Sequence, residues 1–507
     1  MKFAFMNRLK ALLNNQWFFP VLFIYYGVFY ILFGEVYPGG ASVDGAVFQT
    51  LIHEFRDSYY FDSYYVYRIF PPLLVRGLLM FLSIDLTNEN IILCFQLINI
   101  GCIAFCCYFF KKIFILFKIT LKNQLLGFVL FLVNFAIIKY PLYFPIMTDA
   151  LAMFLSTALL YYYIKNNTIA IVICTLLLAF TWPMGFYQGL LLIAFPFTAL
   201  PFLKPPKWQK VLVNLGAITF ALMAILIIVF IIKRDADVLF VLKIDRLLLP
   251  LSIAGVLIIY YFFAKIFLNY SLLNWAYFIK KLNIKRILIS IGVFALISLT
   301  VYLLNPKPIP TYTTAQMLQN PFVYALIKPL LSLVSHIAFF GVGACLIILF
   351  WPDIGKLISQ MGWGLVFAFG LNLLLFGLTP ESRHLINIFP WLLILLIKVL
   401  NNYSFLNYFY TITGLLSIFL SKIWLLLNTN KIAYRMNFDK NGSMDFPDQK
   451  FWMNFGPWMN EQMYYIQGMA IIIILLILIF TLYKIKINGP KIIQLVPKFK
   501  SVKKPLG

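Results

Sequence analysis

Apolar runs of about twenty residues, the length that crosses a hydrocarbon core, recur along the whole chain. In order they cover 17–33, 89–110, 121–138, 150–164, 168–182, 187–203, 211–232, 247–268, 287–304, 329–350, 359–378, 385–400, 406–427 and 464–483. The pattern predicts an all-α polytopic membrane protein, a single transmembrane domain over 1–507, with about fourteen transmembrane helices in a range of roughly 11–14. A β-barrel is excluded, because its strands are about ten residues long and alternate in polarity.

The polar segments between the runs fall into two kinds. Those at 34–88, 139–149, 305–328, 379–384 and 428–463 are acidic or broken by Pro and Gly, and those around 111–112, 204–210 and 280–286 are basic. The two kinds alternate, so the first set is expected outside and the second inside. The loop at 233–246 is charge-balanced and fits this sorting least well. Lys2, Arg8 and Lys10 put the N-terminus in the cytoplasm, and 484–507 is expected to be a basic cytoplasmic tail in reach of anionic headgroups.

The first outer segment carries structure of its own. After Gly39-Gly40-Ala-Ser-Val-Asp44, the residues Val47, Phe48, Leu51, Ile52 and Phe55 share one helical face. Such a helix is expected to lie flat on the bilayer, holding Asp44 at the lipid–water boundary. The run 73–84, interrupted by Arg76, reads as a second juxtamembrane helix rather than a span.

Composition sharpens the class. The chain is 63% hydrophobic, far above a soluble domain. Its net charge of +24 does not point to nucleic acid, because Lys and Arg are scattered at the ends of apolar runs. All six cysteines (Cys94, Cys102, Cys106, Cys107, Cys174, Cys345) fall inside apolar runs and are expected to be buried thiols. No cleavage site follows the first run, which reads as a permanent anchor. Richness in Lys, Ile, Asn and Phe points to an AT-rich genome and so to a bacterial inner membrane.

The outer segments gather the residues able to do chemistry: Asp44, His53, Arg68, Asp149, Glu381, Arg383 and His384. Each has a plain alternative. Asp44 and Asp149 are placed to cap helices, Arg383 and His384 to snorkel at a span end, and His53, Glu54, Asp57 and Asp62 to form a solvated face. His336, inside a span, reads as an interhelical hydrogen bonder. Together they supply a carboxylate to take a proton from a hydroxyl, arginines to fork a phosphate, and a second carboxylate for a divalent cation. Those are the parts needed to move a sugar from a lipid phosphate to a hydroxyl, through an oxocarbenium-like state.

Four short motifs extend this. They are Val43-Asp44-Gly45 in the first outer segment, Tyr67-Arg68-Ile-Phe-Pro71-Pro72-Leu73, Thr148-Asp149-Ala150, and Pro380-Glu381-Ser-Arg383-His384 running to Pro390. In order and sidedness they resemble the GT-C superfamily, integral-membrane glycosyltransferases that use polyprenyl-phosphate-linked sugars. The Pro71-Pro72-Leu73 stretch is similar to one in protein O-mannosyltransferases. The resemblance implies a GT-C-like fold with an active site on the periplasmic or extracellular side. It implies inverting transfer with Asp44 as general base, Asp149 orienting the acceptor or a cation, and Arg383, Arg68 and His384 binding the donor phosphate. A metal, Mg or Mn, would fall to Asp44 and Asp149. Implied partners are a polyprenyl-phosphate sugar, membrane lipid, and an acceptor glycan, lipid or protein, with no nucleic acid. The chain departs from the pattern in having Asp44 alone where many members carry two acidic residues, and His384 where an aromatic residue is common. Two other readings stay open: a polysaccharide polymerase or ligase using diphosphate-linked oligosaccharides, and a multi-span transporter. The arginine-poor outer loops weigh against the first, and the absence of an internal repeat against the second.

Overall fold

The computed structural model describes residues 11–40, 43–54, 63–198, 207–234, 247–267, 282–305, 323–424, 437–438, 444–445 and 461–483. The described chain is helical, apart from a two-residue antiparallel pairing of Asn437–Phe438 with Met444–Asp445. Among the described residues three helices are long and apolar enough to cross a membrane: Asn88–Leu116, Ile284–Leu304 and Tyr464–Leu482. Two bent pairs qualify when each is taken as one span, and ten further apolar helices have 10–17 residues. These helices fit an integral membrane protein. Apolar side chains such as Leu288, Ile291 and Phe294 on one long helix, and Ile472, Leu476 and Phe480 on another, are exposed on its flanks, as lipid-facing positions are.

The centre is built on α1 (Asn88–Leu116), α2 (Asp149–Ile164) and α3 (Phe389–Leu400). All twelve residues of α3 are buried, the state expected of a helix that is apolar all round. Trp391 donates its indole N–H to the carbonyl of Ser156 at 2.7 Å, and Ser156 donates its hydroxyl to the carbonyl of Asn387 at 2.5 Å, fixing α3 against α2. Lys398, near the end of α3, donates to the carbonyl of Phe117 at 3.1 Å.

Two expected spans are broken. The run 121–138 stops at Asn134 and bends by 65°. Asn134 donates to the carbonyls of Leu130 and Phe131 while accepting from the backbone N–H of Ile137, so one side chain ends one helix and starts the next. The run 329–350 breaks at Gly341, whose φ of 70° lies where a side chain is strained. The two breaks touch: a Cβ on Gly341 would sit 3.3 Å from Cβ of Asn134. The chain bends again, by 78°, into Trp351–Met361, an amphipathic helix where a loop is expected from the sequence. One Asn or one Gly in an apolar run barely lowers its hydropathy, which is why both runs read as continuous.

The juxtamembrane helices are α4 (Val43–His53) and α5 (Phe70–Phe81), the second opened by Pro71 and Pro72 in its first turn. The apolar face of α4 does not lie on lipid as expected. Phe48, Leu51 and Ile52 are buried against Val75 and Leu79 of α5, Ile91 and Phe95 of α1, and Ile146. Period and polarity are the same whether a helix face meets lipid or protein. The exposed apolar surface belongs instead to the end of α5, at Met80, Phe81 and Leu82. Phe55, Asp57, Asp62, the loop 233–246 apart from Lys233 and Arg234, most of 305–328 and 428–463, and the tail 484–507 lie outside the described residues.

Contacts between loops sort by face. At one end Tyr37 bonds Tyr143 at 2.8 Å, Ile146 bonds Gly40 at 3.1 Å and Phe70 bonds Phe180 at 2.8 Å, all through the backbone. At the other, the backbone N–H of Thr120 donates to Asn401 at 2.9 Å, Arg286 to Asn166 at 3.1 Å, and the Tyr163 hydroxyl to the carbonyl of Met361 at 3.2 Å.

Two outcomes follow. A membrane-impermeant maleimide should label Thr50→Cys and Lys165→Cys, both exposed positions, from opposite sides of a sealed membrane; labelling of both from one side would refute the two-faced arrangement. Gly341→Ala should lower stability by about 1–2 kcal/mol through its positive φ, read as a lower melting midpoint of the purified protein.

Candidate functional site

Polar residues from the segments 34–88, 139–149 and 379–384 meet at one end of the bundle. Asp44 sits in the first turn of α4, where a carboxylate is favoured by the helix dipole. The approach to α4 is a Gly39-Gly40 turn with φ of 74° and 69°. Gly40 is required twice over, since a Cβ there would also lie 2.5 Å from Ile92. The same turn accepts from the backbone N–H of Ile146, which ties the Asp44 loop to the loop ahead of Asp149.

Arg68 lies in the turn before α5, and the bond from Phe70 N–H to the carbonyl of Phe180 sets it beside Trp182. Its guanidinium lies over the rings of Tyr64 and Trp182, 4.2 and 4.6 Å from their centroids. One nitrogen reaches Oδ2 of Asp44 at 3.5 Å.

The third component is a single 3₁₀ turn, Ser382–Leu385. It is pinned from below by His336. Nε2 of His336 lies 3.2 Å from the carbonyl of Gly377, which only accepts, so Nε2 carries the proton and Nδ1 accepts from the Ser382 hydroxyl at 3.0 Å. His336 is thus the interhelical bonder its position suggests, and it sets the turn. Arg383 donates from Nε to Glu381 at 2.5 Å and from Nη2 to Oδ2 of Asp44 at 3.0 Å. His384 Nε2 is 3.6 Å from the other Glu381 oxygen, and its ring packs near Trp182 and Phe376.

Burial and charge act together here. Burial alone would push the Glu381 carboxyl up, but Arg383 and His384 hold it at about 2. Burial lowers His384 to about 4, against the pull of Glu381, so its ring is neutral at physiological pH. Asp149, the first residue of α2, is 3% exposed, and neither of its oxygens has a hydrogen-bond partner among the described residues. Burial pushes its carboxyl up to about 6, against the pull of Arg383 and Arg68. Asp149 therefore caps nothing, and the Asp44 carboxylate faces Arg383, Arg68 and the Tyr65 hydroxyl rather than serving as an N-cap.

The structure thus brings together Asp44, Arg68, Asp149, Glu381, Arg383 and His384 from four separate segments. His53 is elsewhere, on the flank of α4 with Nε2 3.3 Å from the Asn88 side chain. The sequence leaves Glu381 without a role, and the structure makes it the clamp of Arg383. It also passes over Tyr64, Trp182 and Ser382. Tyr64 lies just before Arg68, a signal that is faint in a chain that is 18% aromatic, Ser382 neighbours Arg383, and Trp182 lies far from either arginine in the sequence. The donor set suits an anion better than a divalent cation. The oxygen of Asp44 that would bind a metal faces two guanidinium groups, which repel Mg or Mn. No protein-family model, curated protein or solved structure matches the chain.

Asp149→Asn tests the electrostatics. The carboxyl is disfavoured as an anion in the fold, so it costs stability once pH rises above its unfolded value near 4, in full above about 6. The variant should be more stable than the parent at pH 7.5, by up to about 3 kcal/mol, and little changed at pH 4. Equal shifts at both pH values would overturn this assignment.

Proposed function

We propose that the chain is a GT-C-type glycosyltransferase with about fourteen spans. In this reading it moves a sugar from a polyprenyl phosphate to a hydroxyl acceptor at the outer face of a bacterial inner membrane. The observation that carries the reading is the convergence of two arginines and three carboxylates, from segments as far apart as Asp44 and Arg383, at one end of an apolar helical bundle.

The chemistry is a single displacement. The acceptor oxygen attacks the anomeric carbon as the bond from that carbon to the phosphate oxygen breaks. The acceptor proton passes to the Asp44 carboxylate, and polyprenyl phosphate leaves with the bonding electron pair, inverting the anomeric centre. Arg68 and Arg383 neutralise the charge gathering on the leaving phosphate. The rings of Tyr64 and Trp182 fix the plane of Arg68, and Glu381 fixes that of Arg383. Asp149, buried and with its oxygens unpartnered among the described residues, is placed to orient the acceptor hydroxyl. His384, neutral and with Nδ1 unpartnered among the described residues, contributes a hydrogen bond rather than a charge.

A transporter is the second reading, favoured by the two broken helices that meet at Asn134 and Gly341. Those breaks are filled by protein, by Asn134 itself and by Lys422, which donates to the carbonyl of Ala338 at 2.7 Å. A filled break supports a structural joint better than a substrate path.

The decisive experiment is incubation of purified protein with a panel of polyprenyl-phosphate sugars and candidate acceptors, with mass spectrometry of the products. Transfer by the parent and its loss in Asp44→Asn, with expression and folding retained, is the expected result; near-normal turnover in that variant would remove Asp44 as base. Arg383→Ala should raise the donor concentration needed for half-maximal rate by about tenfold or more, the effect of losing a charge-assisted phosphate contact. An unchanged donor dependence would reduce Arg383 to an anchor.

A further inference from the structure

The arginines that would hold a phosphate are already occupied, and so is the carboxylate that would take a proton. Oδ2 of Asp44 lies 3.0 Å from Arg383 and 3.5 Å from Arg68, and Oδ1 lies 3.5 Å from the Tyr65 hydroxyl. A base needs a free lone pair at the reacting hydroxyl, and a phosphate needs the guanidinium fork. Neither is on offer while the two are paired with each other.

We propose, resting on the glycosyltransferase reading, that Asp44 is a displaceable plug in a phosphate site: the lipid donor's phosphate takes Arg68 and Arg383 from it, and that exchange frees the carboxylate to act as base. Donor binding and activation of Asp44 as base are then one event.

Three observations support the exchange. The first is charge. Asp44 and Glu381 already answer Arg68 and Arg383, and Asp149, pushed up only to about 6, adds a third anion at neutral pH. No cation is left over for an added phosphate, so a phosphate gains the guanidinium forks only by displacing a carboxylate already on them. The second is which carboxylate can yield. Glu381 lies two residues from Arg383 in the same turn and holds its Nε at 2.5 Å. Asp44 stands on a different helix and meets only terminal guanidinium nitrogens, at longer distances. Rotation about its side-chain bonds moves it away with no shift of α4. The third is an unmet donor. Nε of Arg68 has no hydrogen-bond partner among the described residues, although Arg68 is only 4% exposed. A buried N–H left unpaired is costly, and Asp44 does not satisfy it. A tetrahedral anion with several oxygens is better shaped to reach it. Since the rings of Tyr64 and Trp182 hold the guanidinium in place, the carboxylate is the part that moves.

The test is binding of undecaprenyl phosphate, which carries no sugar, to the full-length protein in lipid nanodiscs. Removing a plug strengthens binding, so Asp44→Asn should bind this lipid about tenfold more tightly than the parent, the scale expected when a competing charge is removed from an ion-paired site. Asp44→Glu, which keeps the charge, should stay close to the parent. Equal or weaker binding by Asp44→Asn overturns the plug. A measurement on the unmutated protein covers a variant that fails to fold: undecaprenyl phosphate should speed modification of Asp44 by a carbodiimide, located by peptide mass spectrometry, and an unchanged or slowed rate overturns the plug. The failures are distinguishable. Sugar transfer by the parent with no tightening in Asp44→Asn keeps the transferase and removes the plug. Tightening without transfer under any donor keeps a plugged lipid-phosphate site and removes the transferase.

Discussion

A guanidinium group taken out of water must be met by an opposite charge, and the end of this bundle that carries Asp44 is organised by that requirement. Arg68 and Arg383 are both nearly buried, and each is answered by a carboxylate. The ion pair of Arg383 with Asp44 spans 339 positions of sequence, so it fastens the third component of the site to the first. The backbone bonds among the loops at this end serve the same purpose. They carry no charge themselves, but they bring α4, the Arg68 turn and the start of α2 close enough for their charges to interact. Asp149 is the exception that gives the cluster chemical interest. It lies within reach of both arginines yet is pushed up by burial, so the site holds carboxyl groups of very different acidity side by side, with Glu381 far below it.

The apolar runs made the helical, membrane-fitting character legible, because hydrophobic length is a property of composition over a window. The breaks at Asn134 and Gly341 were not legible, because one residue decides each of them. The chemistry-bearing residues stood out for a different reason. The chain has only 17 acidic residues, and twelve of them lie in the segments 34–88, 139–149, 379–384 and 428–463, where they are conspicuous against the apolar runs. Their convergence could not be read, since it depends on loop-to-loop bonds such as Gly40 with Ile146 and Phe70 with Phe180, which join backbone atoms and leave no mark on residue type. The misplaced surface of α4 has the same origin. Its stripe of Phe48, Leu51 and Ile52 specifies burial but not what does the burying. The shell of Tyr64 and Trp182 around Arg68 was hidden by abundance, as aromatic residues occur throughout.

The all-buried helix α3 has a consequence for how the protein is made. Twelve residues rise about 18 Å, well short of the roughly 30 Å of hydrocarbon, so α3 does not suffice to cross a bilayer unaided. The helices that pack most extensively on it among the described residues (α1, α2, Leu121–Leu132, Val342–Leu349 and Trp351–Met361) precede it in the chain. During synthesis the ribosome therefore delivers the walls first and the filling afterwards. Arg383, six residues ahead of α3, arrives with that filling. The site then becomes complete only when the last central helix closes the bundle, so a chain cut short before residue 389 would carry an Asp44 with no seated arginine from the later half.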